Sequence, residues 1–191
     1  MPRWWVAPWW TAPNLITLGR LLLAPFVVWE IVARRPVGAF VLLFVAGLTD
    51  LLDGLVARGT NSQSHLGELL DPVADKVLLS GVFVGLEWIG SVPLWFVAIV
   101  FGRDVFLLLA AVLLMTFSAA PDLRPDRYGK ASTALQILTA GVIVAGNANG
   151  GISSTLGRAG IYFLVPAALL TAFSGLNYAW RGVRSMRRVD A

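Results

Sequence analysis

Cysteine is absent from the 191 residues, which rules out disulfides, thiolate metal sites and cysteine nucleophiles. Histidine occurs once, at His65, inside a polar stretch with Asn61, Ser62, Gln63 and Ser64, and reads as a solvated turn residue. Charge is scarce as well. Only 14% of residues are Asp, Glu, Lys or Arg, where a soluble domain carries nearer a quarter. No low-complexity linker divides the chain and no internal repeat is evident, so residues 1–191 read as one domain. Basic residues are not interleaved with aromatics on a soluble face, which argues against a nucleic-acid partner. They collect instead at the ends of apolar runs, where topology and anionic headgroups account for them.

What is plentiful is hydrocarbon. The chain is 57% hydrophobic, contains eight tryptophans and has a mean hydropathy of +0.74. This composition predicts an all-α, multi-pass membrane protein. Six spans are expected, at 15–33, 37–58, 69–89, 92–117, 128–148 and 159–178. Trp4, Trp5, Trp9 and Trp10 suit the headgroup zone, so residues 1–12 read as an interfacial segment. A cleaved leader is disfavoured, because no small-residue cleavage site follows. With the N-terminus in the cytoplasm, that side gathers Arg3, Arg58, Arg124, Arg127, Lys130, Arg181, Arg184, Arg187 and Arg188. The other side holds Arg34, Arg35 and Arg158, and the asymmetry predicts both termini inside. Residues 179–191 read as a basic tail anchored on anionic lipid.

Within this apolar background the stretch Asp50–Asp75 stands apart. Asp50 and Asp53 are three residues apart and Asp71 and Asp75 four apart, so on helices each pair shares a face. An ionised group in hydrocarbon costs at least about 2.5–3.5 kcal/mol, so four together need compensation. Two such faces turned towards each other form a nest of carboxylate oxygens, and hard divalent cations are its natural occupants, Mg²⁺ above all. Gly54 and Ala57 leave room beside the backbone, and the forked guanidinium of Arg58 suits a phosphate. Together they read as a metal–diphosphate site. The alternative, ion pairs that merely join helices, sets four acids against only two nearby cations, Arg58 and Lys76. On the expected topology all four aspartates lie towards the cytoplasmic end, within reach of cytosolic metal and nucleotide.

The pattern D-x2-D-G-x2-A-R-x8-G-x3-D-x3-D resembles the signature of the CDP-alcohol phosphatidyltransferases, with Asp50, Asp53, Gly54, Ala57, Arg58, Gly67, Asp71 and Asp75 at its eight defined positions. The resemblance implies transfer of a phosphatidyl group from CDP-diacylglycerol to an alcohol, with release of CMP. It implies Mg²⁺ or Mn²⁺ as cofactor, held by Asp50, Asp53, Asp71 and Asp75, and Asp75 as the candidate general base for the acceptor hydroxyl. Arg58 would steady the diphosphate, while Gly54, Ala57 and Gly67 leave space for cytidine. The run Pro13–Arg20 is similar to the family's N-terminal signature, and there Asn14 and Thr17 offer polar groups to the diphosphate or cap the first helix. The segment Tyr128–Gln136 resembles a G-K-x-x-T-x-x-Q element whose Lys130 would hold a lipid phosphate. Arg103 and Asp104 lie inside the fourth span, either as an internal ion pair or, the favoured option, with Arg103 on an acceptor phosphate.

The acceptor implied is of glycerol type. Arg103-Asp104-Val105 looks most like the eukaryotic-type cardiolipin synthases, which use phosphatidylglycerol. Phosphatidylglycerophosphate synthases, which use glycerol 3-phosphate, typically have Arg-Glu-Phe there and a further arginine near the position of Ala110 and Ala111. Family resemblance also suggests a homodimer. Two other classes use intramembrane charge. A membrane prenyltransferase lacks the Gly54, Ala57, Arg58 and Gly67 arrangement, and a transporter usually places charge near the midplane of repeated halves.

Overall fold

A computed structural model describes the backbone of residues 12–60, 65–117, 127–148 and 151–186, and the side chains of 17–49, 74–110, 127–148, 155 and 159–181. Among the described residues there are six helices and no strand. They are α1 (Ala12–Val32), α2 (Pro36–Thr60), α3 (His65–Trp88), α4 (Leu94–Phe117), α5 (Arg127–Gly146) and α6 (Gly151–Met186). The expected interfacial segment falls almost entirely outside them.

Local chemistry sets the ends. α1 stops where Arg34 turns left-handed at φ 55°, with Arg34 N donating to Ile31 O at 2.9 Å and Arg35 N to Glu30 O at 2.9 Å. This bond pair is a Schellman cap, and Pro36 then opens α2 with a φ already suited to a helix. α3 ends the same way, with Gly90 at φ 77° and Ser91 N donating to Leu86 O at 2.8 Å. Glycine takes that conformation without the penalty a Cβ brings.

α6 differs from expectation at both ends. The expected loop 147–158 shortens because the helix already begins at Gly151, so Arg158 is helical. Gly151, Ser153, Ser154 and Thr155 are weak helix formers, which ends an apolar span early, yet none of them breaks a helix as proline does. At the far end the helix runs through Arg181 and Arg184 to Met186, where a tail is expected from residue 179. Arginine and methionine are good helix formers, and loss of hydropathy does not stop a helix.

Packing is close where side chains are small. Gly81 and Gly85 lie one turn apart on α3 and face α1. A Cβ on Gly81 would stand 3.0 Å from Val28 Cγ2, and one on Gly85 3.3 Å from Ile31 Cγ2. This glycine-x3-glycine seam lets the two backbones approach and fixes their register. Since Arg20 meets Asp75 and Ile31 meets Gly85, α1 and α3 run parallel. α5 and α6 run antiparallel: Ser132 meets Thr171, and Ile143 meets Gly160.

Polarity is arranged inside out. Leu18, Leu22, Phe26 and Trp29 form an exposed stripe on α1, and Ile161, Val165, Leu169, Phe173, Leu176 and Trp180 are exposed on α6. Buried instead are Thr17, Arg20, Ser132, Gln136, Thr139, Thr171 and Ser174. So much outward apolar surface is foreign to a soluble monomer and natural where lipid is the solvent. By length and composition Ala159–Arg181 is the one described helix able to cross a membrane, and Pro36–Thr49 is a shorter apolar helix. The apolar core of Val27, Ile31, Val82, Phe83, Leu86 and Phe96 sits towards the α1–α2 and α3–α4 turns, with Phe83 edge-on to Phe96 at 5.0 Å. The interior towards the N-termini of α1, α3 and α5 is polar. The described interior is therefore mainly apolar towards one end and polar towards the other.

Candidate active site

The two aspartate pairs lie on helical backbone, Asp50 and Asp53 on α2 and Asp71 and Asp75 on α3. Their three- and four-residue spacings therefore place each pair on one helix face. α1 packs against both α2 and α3, and so does α5, so these two helices flank the pair that carries the aspartates. Among the residues whose side chains are described, no three acids or histidines come together, so the expected carboxylate nest lies outside them. Asp75 alone of the four has its side chain among the described residues. Asp50, Asp53, Asp71, Gly54, Ala57, Arg58 and Gly67 are placed on α2 and α3 by backbone only. Asn14 lies in the first turn of α1, again by backbone only.

Asp75 is half exposed, and Arg20 Nη1 donates to its Oδ1. Arg20 is 1% exposed, so a cation buried in α1 holds the candidate base on α3. No role for Arg20 emerges from the sequence pattern. The available signal is a lone arginine in the middle of an apolar helix, which needs a carboxylate partner. Thr17, three residues earlier on the same face, is buried too.

A second charged cluster lies beside the first. Arg103 Nη1 donates to Asp104 Oδ1 at 2.7 Å, and Lys76 Nζ donates to the same oxygen at 3.1 Å. Arg103 Nη2 donates to Ser174 Oγ at 3.2 Å, tying α4 to α6. The internal ion pair is thus present, and it includes Lys76 from α3. The guanidinium fits against glycine: a Cβ on Gly129 would lie 3.3 Å from Arg103 Nη2, and one on Gly175 3.4 Å from its Cγ.

The G-K-x-x-T-x-x-Q element divides into two parts. Gly129 touches the Arg103 cluster and Lys130 is exposed in the first turn of α5. Gln136 is buried and turned to α6, where its Nε2 donates to Thr171 Oγ1 at 2.7 Å. Ser132 Oγ and Thr171 Oγ1 share a further bond at 2.8 Å, and Thr171 donates to Ala167 O at 2.6 Å. These buried bonds join the two helices near Gly129, which lies against Arg103 and Ser174.

The profile of the CDP-alcohol phosphatidyltransferase family matches residues 10–173, so the chain belongs to that family. It is 36% identical over 148 residues to a probable cardiolipin synthase (CMP-forming) of Drosophila melanogaster, covering 69% of this chain and 46% of that one. The chain thus spans about half the length of that relative. To the cardiolipin synthase (CMP-forming) of Streptomyces coelicolor it is 30% identical over 186 residues, covering 94% of this chain and 86% of that one. To a CDP-diacylglycerol–glycerol-3-phosphate 3-phosphatidyltransferase of Aquifex aeolicus it is 34% identical over 139 residues, covering 69% and 75%.

Proposed function

We propose that the protein transfers a phosphatidyl group from CDP-diacylglycerol to the hydroxyl of a glycerol-type acceptor, releasing CMP, and that phosphatidylglycerol is the acceptor. The observation that carries this is Asp75 on α3, held by buried Arg20 and adjacent in sequence to the Lys76–Asp104–Arg103 cluster. Lys76 follows Asp75 directly on α3, so one turn of helix carries both the candidate base and a cation of the second cluster. A glycerol acceptor needs that arrangement, since its hydroxyl and its phosphate are only a few bonds apart.

In the step itself the acceptor oxygen attacks the phosphorus that carries diacylglycerol. Its proton passes to Asp75, an ester bond forms, and the bond to the CMP oxygen breaks. Asp50, Asp53, Asp71 and Asp75 would hold Mg²⁺ or Mn²⁺, which when bound offsets the charge on the diphosphate. Arg58 steadies the same diphosphate with its fork, and Asn14 and Thr17 supply polar contacts. Gly54, Ala57 and Gly67 leave space for cytidine, and Lys130 and Arg103 receive the acceptor lipid's phosphate.

Cardiolipin synthesis is supported by the similarity to the Drosophila and Streptomyces cardiolipin synthases and by Ala110 and Ala111, where an extra arginine would suit a dianion. Glycerol 3-phosphate is the second candidate, favoured by the Aquifex relative and by the second cation that Lys76 adds. The outward apolar faces fit a lipid surround, and the Lys and Arg asymmetry would put the aspartates of a six-span homodimer towards the cytoplasm. Supplying CDP-diacylglycerol with each acceptor and identifying the lipid product tests the assignment. Cardiolipin from phosphatidylglycerol is expected. No CMP release with either acceptor would overturn the proposal.

A further inference from the structure

Two cations converge on one oxygen in the α3–α4–α6 cluster. Arg103 Nη1 and Lys76 Nζ stand 2.7 and 3.1 Å from Asp104 Oδ1. That is the arrangement in which paired cations grip a single phosphate oxygen. Among the described residues the cluster sets two positive side chains against one carboxylate. Among them, too, Arg103 Nε is buried without a hydrogen-bond partner, an omission a purely structural ion pair would be expected to repair. The guanidinium is held by Ser174 and packed against Gly129 and Gly175, so one jaw is fixed. The Lys76 side chain is 45% exposed, so the other jaw is accessible and can swing.

We propose that Lys76 completes the acceptor-phosphate subsite with Arg103, and that Asp104 is its resident counter-ion. When the acceptor arrives, its phosphate takes the place of the Asp104 oxygen on Lys76, while Asp104 stays on Arg103. Lys76 is therefore a binding residue for the phosphate adjoining the acceptor's glycerol. Asp104 sets how strongly that phosphate must compete. The same chemistry serves the phosphodiester of phosphatidylglycerol and the monoester of glycerol 3-phosphate.

This assignment rests on the glycerol-type acceptor proposed above, and kinetics separates the two. CMP release is measured on the purified protein with CDP-diacylglycerol and either phosphatidylglycerol or glycerol 3-phosphate as the varied acceptor. Lys76→Gln should raise the acceptor KM by roughly ten-fold or more, the loss of one charge-assisted contact, with the CDP-diacylglycerol KM unmoved. Lys76→Arg should restore the acceptor KM to within a few-fold of wild type. Asp104→Asn removes the competing anion and should lower the acceptor KM; a joint that only braces helices predicts lower stability and no tighter binding. The arm in which the KM effect is larger identifies the source of the phosphate. An active wild type whose acceptor KM is unchanged by Lys76→Gln and not lowered by Asp104→Asn would overturn this inference alone. A wild type that uses neither acceptor would overturn the proposed function, and the subsite with it.

Discussion

Arg20 offers the sharpest test of how the bundle serves its chemistry. Arg20→Gln removes a buried cation from Asp75 while keeping a side chain of moderate size and polarity. Breaking a fully buried ion pair typically costs about 3–5 kcal/mol, but Asp75 is 46% exposed and water can replace part of what is lost. A hydrogen bond to a charged group contributes about 1.5–3 kcal/mol, which is the better scale here. If Arg20 acts by holding Asp75 at the reacting hydroxyl, turnover should fall by roughly 10- to 150-fold. Asp75→Asn should cost roughly 10²–10⁴-fold, the usual loss on removing a general base. The double variant decides the mechanism. With Asp75 already neutralised, Arg20→Gln should add little, so the two losses should fall well short of multiplying. The assay is CMP release from CDP-diacylglycerol, with thermal unfolding of each variant measured in the same detergent. Fully multiplicative losses at unchanged melting temperature would refute the coupling and leave Arg20 with a separate role.

Excess EDTA should abolish turnover, and Asp50→Ala, Asp53→Ala and Asp71→Ala should each do the same at saturating Mg²⁺; full activity in EDTA would sink the metal assignment. Arg58→Lys should raise the KM for CDP-diacylglycerol, because an ammonium cannot reproduce a bidentate fork, and an unchanged KM would count against that contact. Gly160→Val should destabilise the fold by about 1–3 kcal/mol, since a Cβ there would stand 2.5 Å from Ile143 Cγ1 and 3.3 Å from the Ile143 backbone nitrogen. The melting temperature reads it directly. A reporter fused at Ser62 should stay in the cytoplasm, and an external signal would reverse the proposed topology.

Much of the architecture is legible in the sequence because hydrophobic run length is a one-dimensional property. The expected spans fall within a few residues of α1 to α5, and the caps at Arg34 and Gly90 follow the charge and glycine signals that end them. α6 was harder to bound, because its ends leave the apolar pattern while remaining helical from Gly151 to Met186. The aspartate spacing is legible for a related reason: on a helix, separation in sequence fixes angle. Partnership between helices is not fixed that way. Arg20 and Asp75 are 55 residues apart and Lys76 and Asp104 are 28 apart. Their meetings depend on the depth at which the glycine seam of α3 lets α1 approach and on where α4 crosses. Gln136 shows the same limit. A motif position that reads as part of a binding element turns out to bridge α5 and α6, and only the packed helices reveal which way it points.

The division of the bundle fits the proposed lipid transfer. The acyl chains of the proposed donor and acceptor would stay in hydrocarbon, so the protein need not enclose them. It would bring their headgroups together at the polar end. Val82, Phe83, Leu86 and Phe96 close the far end with fully buried side chains, while the outward stripes of α1 and α6 leave the flanks open to lipid. Three of the described cations at the polar end reach another helix: Arg20 from α1 to α3, Lys76 from α3 to α4, and Arg103 from α4 to α6. Asp75 and Lys76 are each nearly half exposed, so only the buried partner, such as Arg20, faces much of the cost of burial when its link is lost. On the proposed function the same few charges both join helices and serve the chemistry. Variants at Lys76 and Asp75, whose side chains still reach water, should therefore lose activity with less loss of stability than variants at buried Arg20.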